Sequence, residues 1–340
     1  MFGSAITSIL HRFLQGKKLT IEEEKRLSQA RLIVAKNHKH HDLKTQLDFF
    51  PTAYSAIRNY VFQLGLSEDI ILDLLWRVWL PLAFDIANKR NQKSSPIIQG
   101  ILGLQGTGKT TLATILQFLL KELGYHTVTL SIDDLYKTYA ERQQLQQEDS
   151  RLIWRGPPGT HDVELGKEVL DNIREGKTPV HIPRFDKSAC QGMGDRATPE
   201  QINQTIDILL FEGWLIGVQP IQETAFQFPP APIVTEADRQ FAIDNNRRLE
   251  AYLPLWNRLD GLIILSPVDY RLSQQWRKEA EQKMIAQGKS GMSEEEINQF
   301  VEYFWRSLHP ELFITPLIES KQGIDAVIEI DANHLPKHVY

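Results

Sequence analysis

A single cysteine, Cys190, in 340 residues excludes an internal disulfide framework and a cysteine-rich zinc site, and it points to a reducing compartment. No clean apolar run suggests a membrane span. The most apolar early stretch, Ile70 to Ala87, is interrupted by Asp73, Arg77, Pro81 and Asp85, so it is expected to be a core helix. The opening MFGSAITSILHRFLQGKK is amphipathic but lacks the apolar h-region and cleavage pattern of a secretory signal. A cytoplasmic protein with no membrane partner is expected. Charge of one sign is not in excess either: 38 Lys and Arg stand against 43 Asp and Glu, a net charge of −5, which gives no global electrostatic case for nucleic acid. Any cationic site must be local.

What is present, 42% hydrophobic and 24% charged residues, suffices for a large α/β core with an accessory region. Residues 1–94 are patterned for helix: Thr20 with Glu23 has capping-box spacing, and Ser67 precedes an acidic and then an apolar run. Trp76 and Trp79, at helical spacing, are expected in the core. A polar linker, Asn88 to Pro96, precedes a second domain over 95–340. There the apolar runs at His126 to Ile132, Ile206 to Phe211, Leu262 to Ser266 and Ala326 to Ile330 alternate with helical segments, which predicts an α/β fold with a mostly parallel sheet covered on both faces. No internal repeat or low-complexity tract interrupts it.

Gly103 to Thr110 reads GLQGTGKT, a full Walker A pattern between an Ile/Leu-rich strand and a helix predicted over Lys109 to Leu123. This is the phosphate cradle of the P-loop NTPase fold. Gly103, Gly106 and Gly108 let the loop wrap phosphates closely, while the backbone of Gln105, Thr107 and Thr111 and the helix N-terminus supply donors. Lys109 is expected at the β- and γ-phosphates of ATP and Thr110 at Mg²⁺.

One helix and one strand later comes LSIDDLY, with Asp133 and Asp134 at the C-terminal end of the strand, the edge that faces the ligand crevice of an open α/β sheet. A carboxylate there can accept the proton of an attacking hydroxyl or help hold Mg²⁺. These residues resemble the phosphoribulokinase, uridine kinase and pantothenate kinase group of P-loop kinases. That resemblance puts the base on Asp133, with Tyr136 at the aromatic position. The strand DILLFEGW ends in Glu212, in the place of a Walker B acid that orients Mg²⁺.

The blocks WRGPPGTHD and HIPRFDKSACQGMGDRA bring Arg155, His161, Asp162, Arg184, Lys187 and Arg196 into loops near the crevice, which suits a small anionic acceptor. Together with FEGWLIG, WRKEAE and GMSEEEINQFV they resemble the glycerate kinases of the plant and cyanobacterial type over residues 95–335. The resemblance implies transfer of the ATP γ-phosphate to D-glycerate, giving 3-phosphoglycerate and ADP. A carboxylate prefers a forked guanidinium, and Arg184 and Lys187 are the first candidates for it. His161 and Asp162 either orient substrate or cap a helix. A helical lid is expected at about 268–310, through the flexible segment QGKSG, with Arg277 and then Arg271 as the residue that stabilises transition-state charge. Ser293 and Glu296 have capping-box spacing and mark a helix start, and Cys190 has no activating neighbour. A kinase for pantothenate or a nucleoside, and a nucleotide-switched regulator that engages a protein through residues 1–94, are the alternatives. The oligomeric state is left open.

Overall fold

Residues 4–30, 43–286 and 291–340 are described by the structure, a computed structural model. The N-terminal region forms α1 (Ser4–Leu14), α2 (Ile21–Gln29), α3 (Leu43–Gln63), α4 (Glu68–Leu74) and α5 (Leu80–Asn91). Thr20 and Glu23 close a capping box on α2, and Ser67 caps α4 by accepting from the Ile70 N–H. α4 runs into α5 through a single π-turn, Leu75–Trp79, just before Pro81, whose missing N–H removes a regular intrahelical bond.

β1 (Ile97–Gly103) is followed by α6 (Lys109–Glu122), β2 (Thr127–Ser131), α7 (Tyr139–Glu148) and α8 (Val163–Arg174). Next comes an antiparallel hairpin that the sequence pattern did not announce, β3 (Val180–Asp186) with β4 (Asp195–Ile202). The chain continues through β5 (Ile208–Gly213), α9 (Glu236–Arg248), α10 (Leu253–Trp256), β6 (Gly261–Pro267), α11 (Leu272–Ala286), α12 (Glu294–Ser307), α13 (Pro310–Ser320), β7 (Ile324–Ile330) and β8 (Pro336–Val339). Ser293 and Glu296 cap α12 reciprocally. Residues 287–290, within the expected flexible segment, lie outside the described residues.

The main sheet has the order β2-β5-β1-β6-β7-β8, parallel except for β8 at the edge. β1 is central and buried throughout. Its alternate residues serve opposite layers. Ile97 and Ile101 join an apolar cluster with α6 and the N-terminal helices, whereas Ile98 and Leu102 join one built from α8 to α10, α12 and α13. The helices before residue 95 therefore supply much of the cover for one face of the main sheet. Phe50, Ile57, Trp76 and Trp79 share a core with Leu116 and Ile328. Trp76 is fully buried and donates its indole N–H to Leu27 O at 3.0 Å; truncating such a residue costs on the order of 3–5 kcal/mol. No helix among the described residues is long and apolar enough to cross a membrane.

Because β1, β2, β5 and β6 run parallel, Gly103, Ser131, Gly213 and Pro267 all finish at one edge of the sheet. That edge carries the site.

Candidate active site

At the end of β1 the chain turns sharply into α6. Gly106 and Gly108 occupy the left-handed region at φ +78° and +87°. No side chain caps α6, so the N–H groups of its first turn are available to a ligand. Thr107 is buried and donates its hydroxyl to Leu104 O at 2.8 Å, which tightens the loop. Lys109 donates to the same carbonyl at 3.0 Å. Burial lowers the Lys109 pKa against the opposing pull of Glu212 and Asp133. The loop is roofed by α11: a Cβ on Gly106 would lie 2.6 Å from Trp276 Cβ.

Across from the loop, the Thr110 hydroxyl donates to Glu212 Oε1 at 2.9 Å, and Glu212 is buried at the end of β5. These groups fit a magnesium-carrying polyphosphate. The glycines leave a cradle that a Cβ would obstruct, Lys109 supplies a cation, and Thr110 with Glu212 presents hard oxygen donors. Among the described residues no group of three or more His, Cys, Asp or Glu could hold a metal ion, so the donor set suits a cation that arrives with phosphates.

β2 ends in a short turn in which Ser131 and Asp134 cap each other. The two adjacent carboxylates part company there. Asp134 accepts from the Ser131 and Phe185 amides at 3.1 and 3.2 Å and from Arg184 at 3.2 Å, tying the β3–β4 hairpin to the sheet. Burial nevertheless raises its pKa. Asp133 lines the cavity and accepts from the Tyr136 hydroxyl at 2.9 Å and from Lys187 Nζ at 2.6 Å. Burial alone would raise its pKa; the Lys187 ammonium and the Tyr136 hydroxyl override this and hold it below the usual carboxylate range.

One cavity of about 790 Å³ joins these groups. Its wall carries five cationic side chains, Lys109, Arg142, Arg155, Lys187 and Arg277, against the carboxylates Asp133 and Glu212, so a chain of net negative charge presents a locally positive chamber. Tyr136, Gln105, Gly106 and Thr110 also line it; Gly103, Thr107 and Thr111 do not.

Three residues expected at the acceptor lie behind the wall. Arg184 donates to Glu200 at 2.6 Å as well as to Asp134, so its fork is committed to carboxylates of the chain. Arg196 pairs with Asp162 at 2.6 Å, and Asp162 caps α8. His161 is buried against Tyr136, ring centroids 4.6 Å apart, with Nδ1 2.7 Å from the Tyr252 hydroxyl. Burial pushes its pKa down to about 3, so it is neutral. It braces Tyr136 from behind.

On α11, Arg277 lines the cavity, pairs with buried Glu281 at 2.7 Å and sits 5.6 Å from the Phe300 ring. Arg271 pairs with Asp269 away from the cavity. Glu281 also accepts from the Met292 amide at 2.8 Å. Cys190 is exposed.

Sequence reasoning passed over Arg142, whose helix has no buried residue and no apolar face to flag it, and the aromatic wall of Trp154, Trp214, Trp276, Phe300 and Phe304. Only the abundance of tryptophan and phenylalanine in the same blocks hinted at that wall.

No protein-family model matches the chain. The chloroplastic D-glycerate 3-kinase of Arabidopsis thaliana is 32% identical over 71% of this chain and 54% of its own length. This chain thus spans about half of that relative. The kinase mug58 of Schizosaccharomyces pombe, itself uncharacterized, is 32% identical over 70% of this chain and 86% of its own. Among solved structures, the D-glycerate 3-kinase of Cryptococcus neoformans shares the fold with a TM-score of 0.68, at 24% identity, over 77% of this chain and 98% of its own.

Proposed function

The chain belongs to the family of P-loop kinases that includes D-glycerate 3-kinase, and on that premise we propose that it transfers the γ-phosphate of ATP to D-glycerate, giving 3-phosphoglycerate and ADP. The observation that carries the reading is the shared chamber: the Walker loop, the carboxylates Asp133 and Glu212 and a set of cations open onto a single cavity.

The glycerate hydroxyl oxygen attacks the γ-phosphorus, the bond from that phosphorus to its bridging oxygen breaks, and the hydroxyl proton passes to Asp133. Tyr136 and Lys187 hold Asp133 as a carboxylate. A depressed pKa makes it a weak base in the ground state. That suits a loose phosphoryl-transfer transition state, in which the base orients the hydroxyl and takes its proton late. Lys109 and Arg277 stand at the cavity wall to neutralise charge that develops on phosphate oxygens. Thr110 and Glu212 would hold Mg²⁺, which would supply charge neutralisation to the polyphosphate. A reducing cytoplasmic setting accords with the single exposed cysteine.

ADP release measured with D-glycerate, L-glycerate, pantothenate and uridine, followed by phosphorus NMR of the product, tests the reading. Turnover with D-glycerate and a product phosphorylated on the 3-hydroxyl are expected. Absence of glycerate-dependent turnover with Mg²⁺-ATP refutes the substrate, and ATP binding without turnover of any acceptor would favour a nucleotide-switched regulator.

A further inference from the structure

Two cations of the cavity wall lack what the neighbouring arginines have. Arg184, Arg196 and Arg277 each meet a carboxylate of the chain, and so do Arg151 and Arg248. Arg142 and Arg155 have no ion-pair partner among the described residues, although both line the cavity. Their guanidinium carbons lie 5.2 and 5.7 Å from the centroid of one ring, that of Phe185. Both are held by main-chain carbonyls of the same turn: Arg142 donates to Met193 O at 2.7 Å and Gly194 O at 2.6 Å, Arg155 to Gly192 O at 3.0 Å and Met193 O at 2.9 Å. Nε and Nη2 of Arg155 retain donors with no acceptor among the described residues.

Like charges fixed this close, half-buried and without a counter-ion, form an unfavourable arrangement that an anion relieves. Burial and the charge of Arg155 both lower the pKa of Arg142. Asp195, the acid that counters this, acts from beyond ion-pair range because its Oδ1 accepts from the Tyr139 and Arg196 amides. The pair also has a fixed relation to the base. Phe185 packs edge-on against Tyr136, ring centroids 5.1 Å apart, and Tyr136 donates to Asp133.

We propose that Arg142 and Arg155 together seat the carboxylate of the acceptor, with Phe185 as their common platform, so that a short hydroxy acid spans from this pair to Asp133. This assignment rests on the acceptor reading above. It moves carboxylate recognition from Arg184, whose fork is committed to carboxylates, to an arginine pair held by main-chain carbonyls alone, Arg142 also donating to Lys137 O at 2.5 Å. Lys187 is thereby left to hold Asp133.

The test compares D-glycerate with its neutral isostere D-glyceramide as acceptors for the full-length wild type and for Arg142→Gln, Arg155→Gln and Arg155→Lys. In the Gln variants the ratio of kcat/KM for glycerate to that for glyceramide is expected to fall by roughly 10- to 150-fold, the range of one hydrogen bond to a charged group, with KM for ATP unchanged. Arg155→Lys is expected to keep part of the preference. Collapse of the 192–194 turn would lower both acceptors alike and leave the ratio in place; that result overturns the assignment, as does unchanged turnover of both. A wild type that phosphorylates glycerate with a ratio indifferent to these substitutions refutes the arginine pair alone. A wild type without glycerate turnover refutes the substrate reading and this assignment with it.

Discussion

Replacing Gly106 by alanine tests how firmly α11 is seated on the phosphate loop. Gly106 and its neighbour Gly108 share a left-handed backbone, at φ +78° and +87°. An alanine at either position incurs about 1–2 kcal/mol of local strain. Their surroundings differ. A Cβ at 108 meets nothing within 4 Å, whereas a Cβ at 106 stands 2.6 Å from Trp276 Cβ, an atom fixed to the α11 backbone that no rotamer change can remove. Ordinary carbon contact then requires α11 to retreat by about 1 Å. That retreat is resisted. Trp276 is 2% exposed, donates to Ala332 O at 3.3 Å and stacks on His334, which in turn bonds Gly106 O at 3.0 Å. Overpacking of this kind adds about 1–3 kcal/mol, so Gly106→Ala is expected to destabilise the nucleotide-free protein by about 2–5 kcal/mol and Gly108→Ala by only about 1–2 kcal/mol. Urea unfolding of the two variants side by side, without nucleotide, reads the difference directly. Arg277 adjoins Trp276, so the 106 variant should also lose kcat; a displacement of this size can cost on the order of 10²-fold. Equal stabilities for the two variants would refute the claim that α11 bears on the loop.

Asp133→Asn is expected to lower kcat by roughly 10²- to 10⁴-fold while ATP binding, measured by calorimetry, stays intact; undiminished single-turnover transfer would remove Asp133 from the role of base. In Lys187→Met the burial that raises the Asp133 pKa loses its main opponent, so that pKa rises. The acid limb of kcat/KM should then move to higher pH, and superimposable limbs would show that the ammonium does not act on the base. In the wild type the depressed Asp133 carboxylate stabilises the fold at neutral pH, a contribution lost as pH falls through its folded value. His161 works through protonation of the unfolded chain. With a folded pKa of about 3 against an ordinary 6.5, it leaves stability nearly untouched at neutral pH and subtracts from it as pH falls below 6.5, by roughly 3 kcal/mol at pH 4.5. Urea unfolding at pH 7 and 4.5 should show less acid sensitivity in His161→Phe than in the wild type; equal sensitivity would contradict a buried neutral imidazole.

The local features of the site were legible because their chemistry is written in consecutive residues. GLQGTGKT encodes a turn with two left-handed positions ahead of a helix, and the turn is where the pattern puts it. Thr20, Ser67 and Ser293 cap the helices their spacing announced. Glu212 lies at the end of β5 and Asp133 in the turn just past β2, strands whose apolar runs stand out, and parallel pairing brings those ends to one edge. The β3–β4 hairpin was harder to see. Its second strand, Asp195–Ile202, is half-buried to exposed and carries no apolar alternation.

By itself, then, the sequence determined an α/β P-loop fold with its phosphate loop and the carboxylates Asp133 and Glu212 at or just past strand ends, since each depends on backbone geometry set within a few residues. Tertiary structure alone decided which cations face the cavity and which brace the frame. Arg184 and Arg196 sit in loops that look like a substrate site, yet they meet Asp134 and Asp162 from 50 and 34 residues away, while Arg142, on an unremarked polar helix, meets no acid. It decided too that the N-terminal helices cover a face of the sheet instead of standing apart. Coulomb pairing and apolar burial act through space. Their partners are fixed only when strands distant in sequence lie side by side.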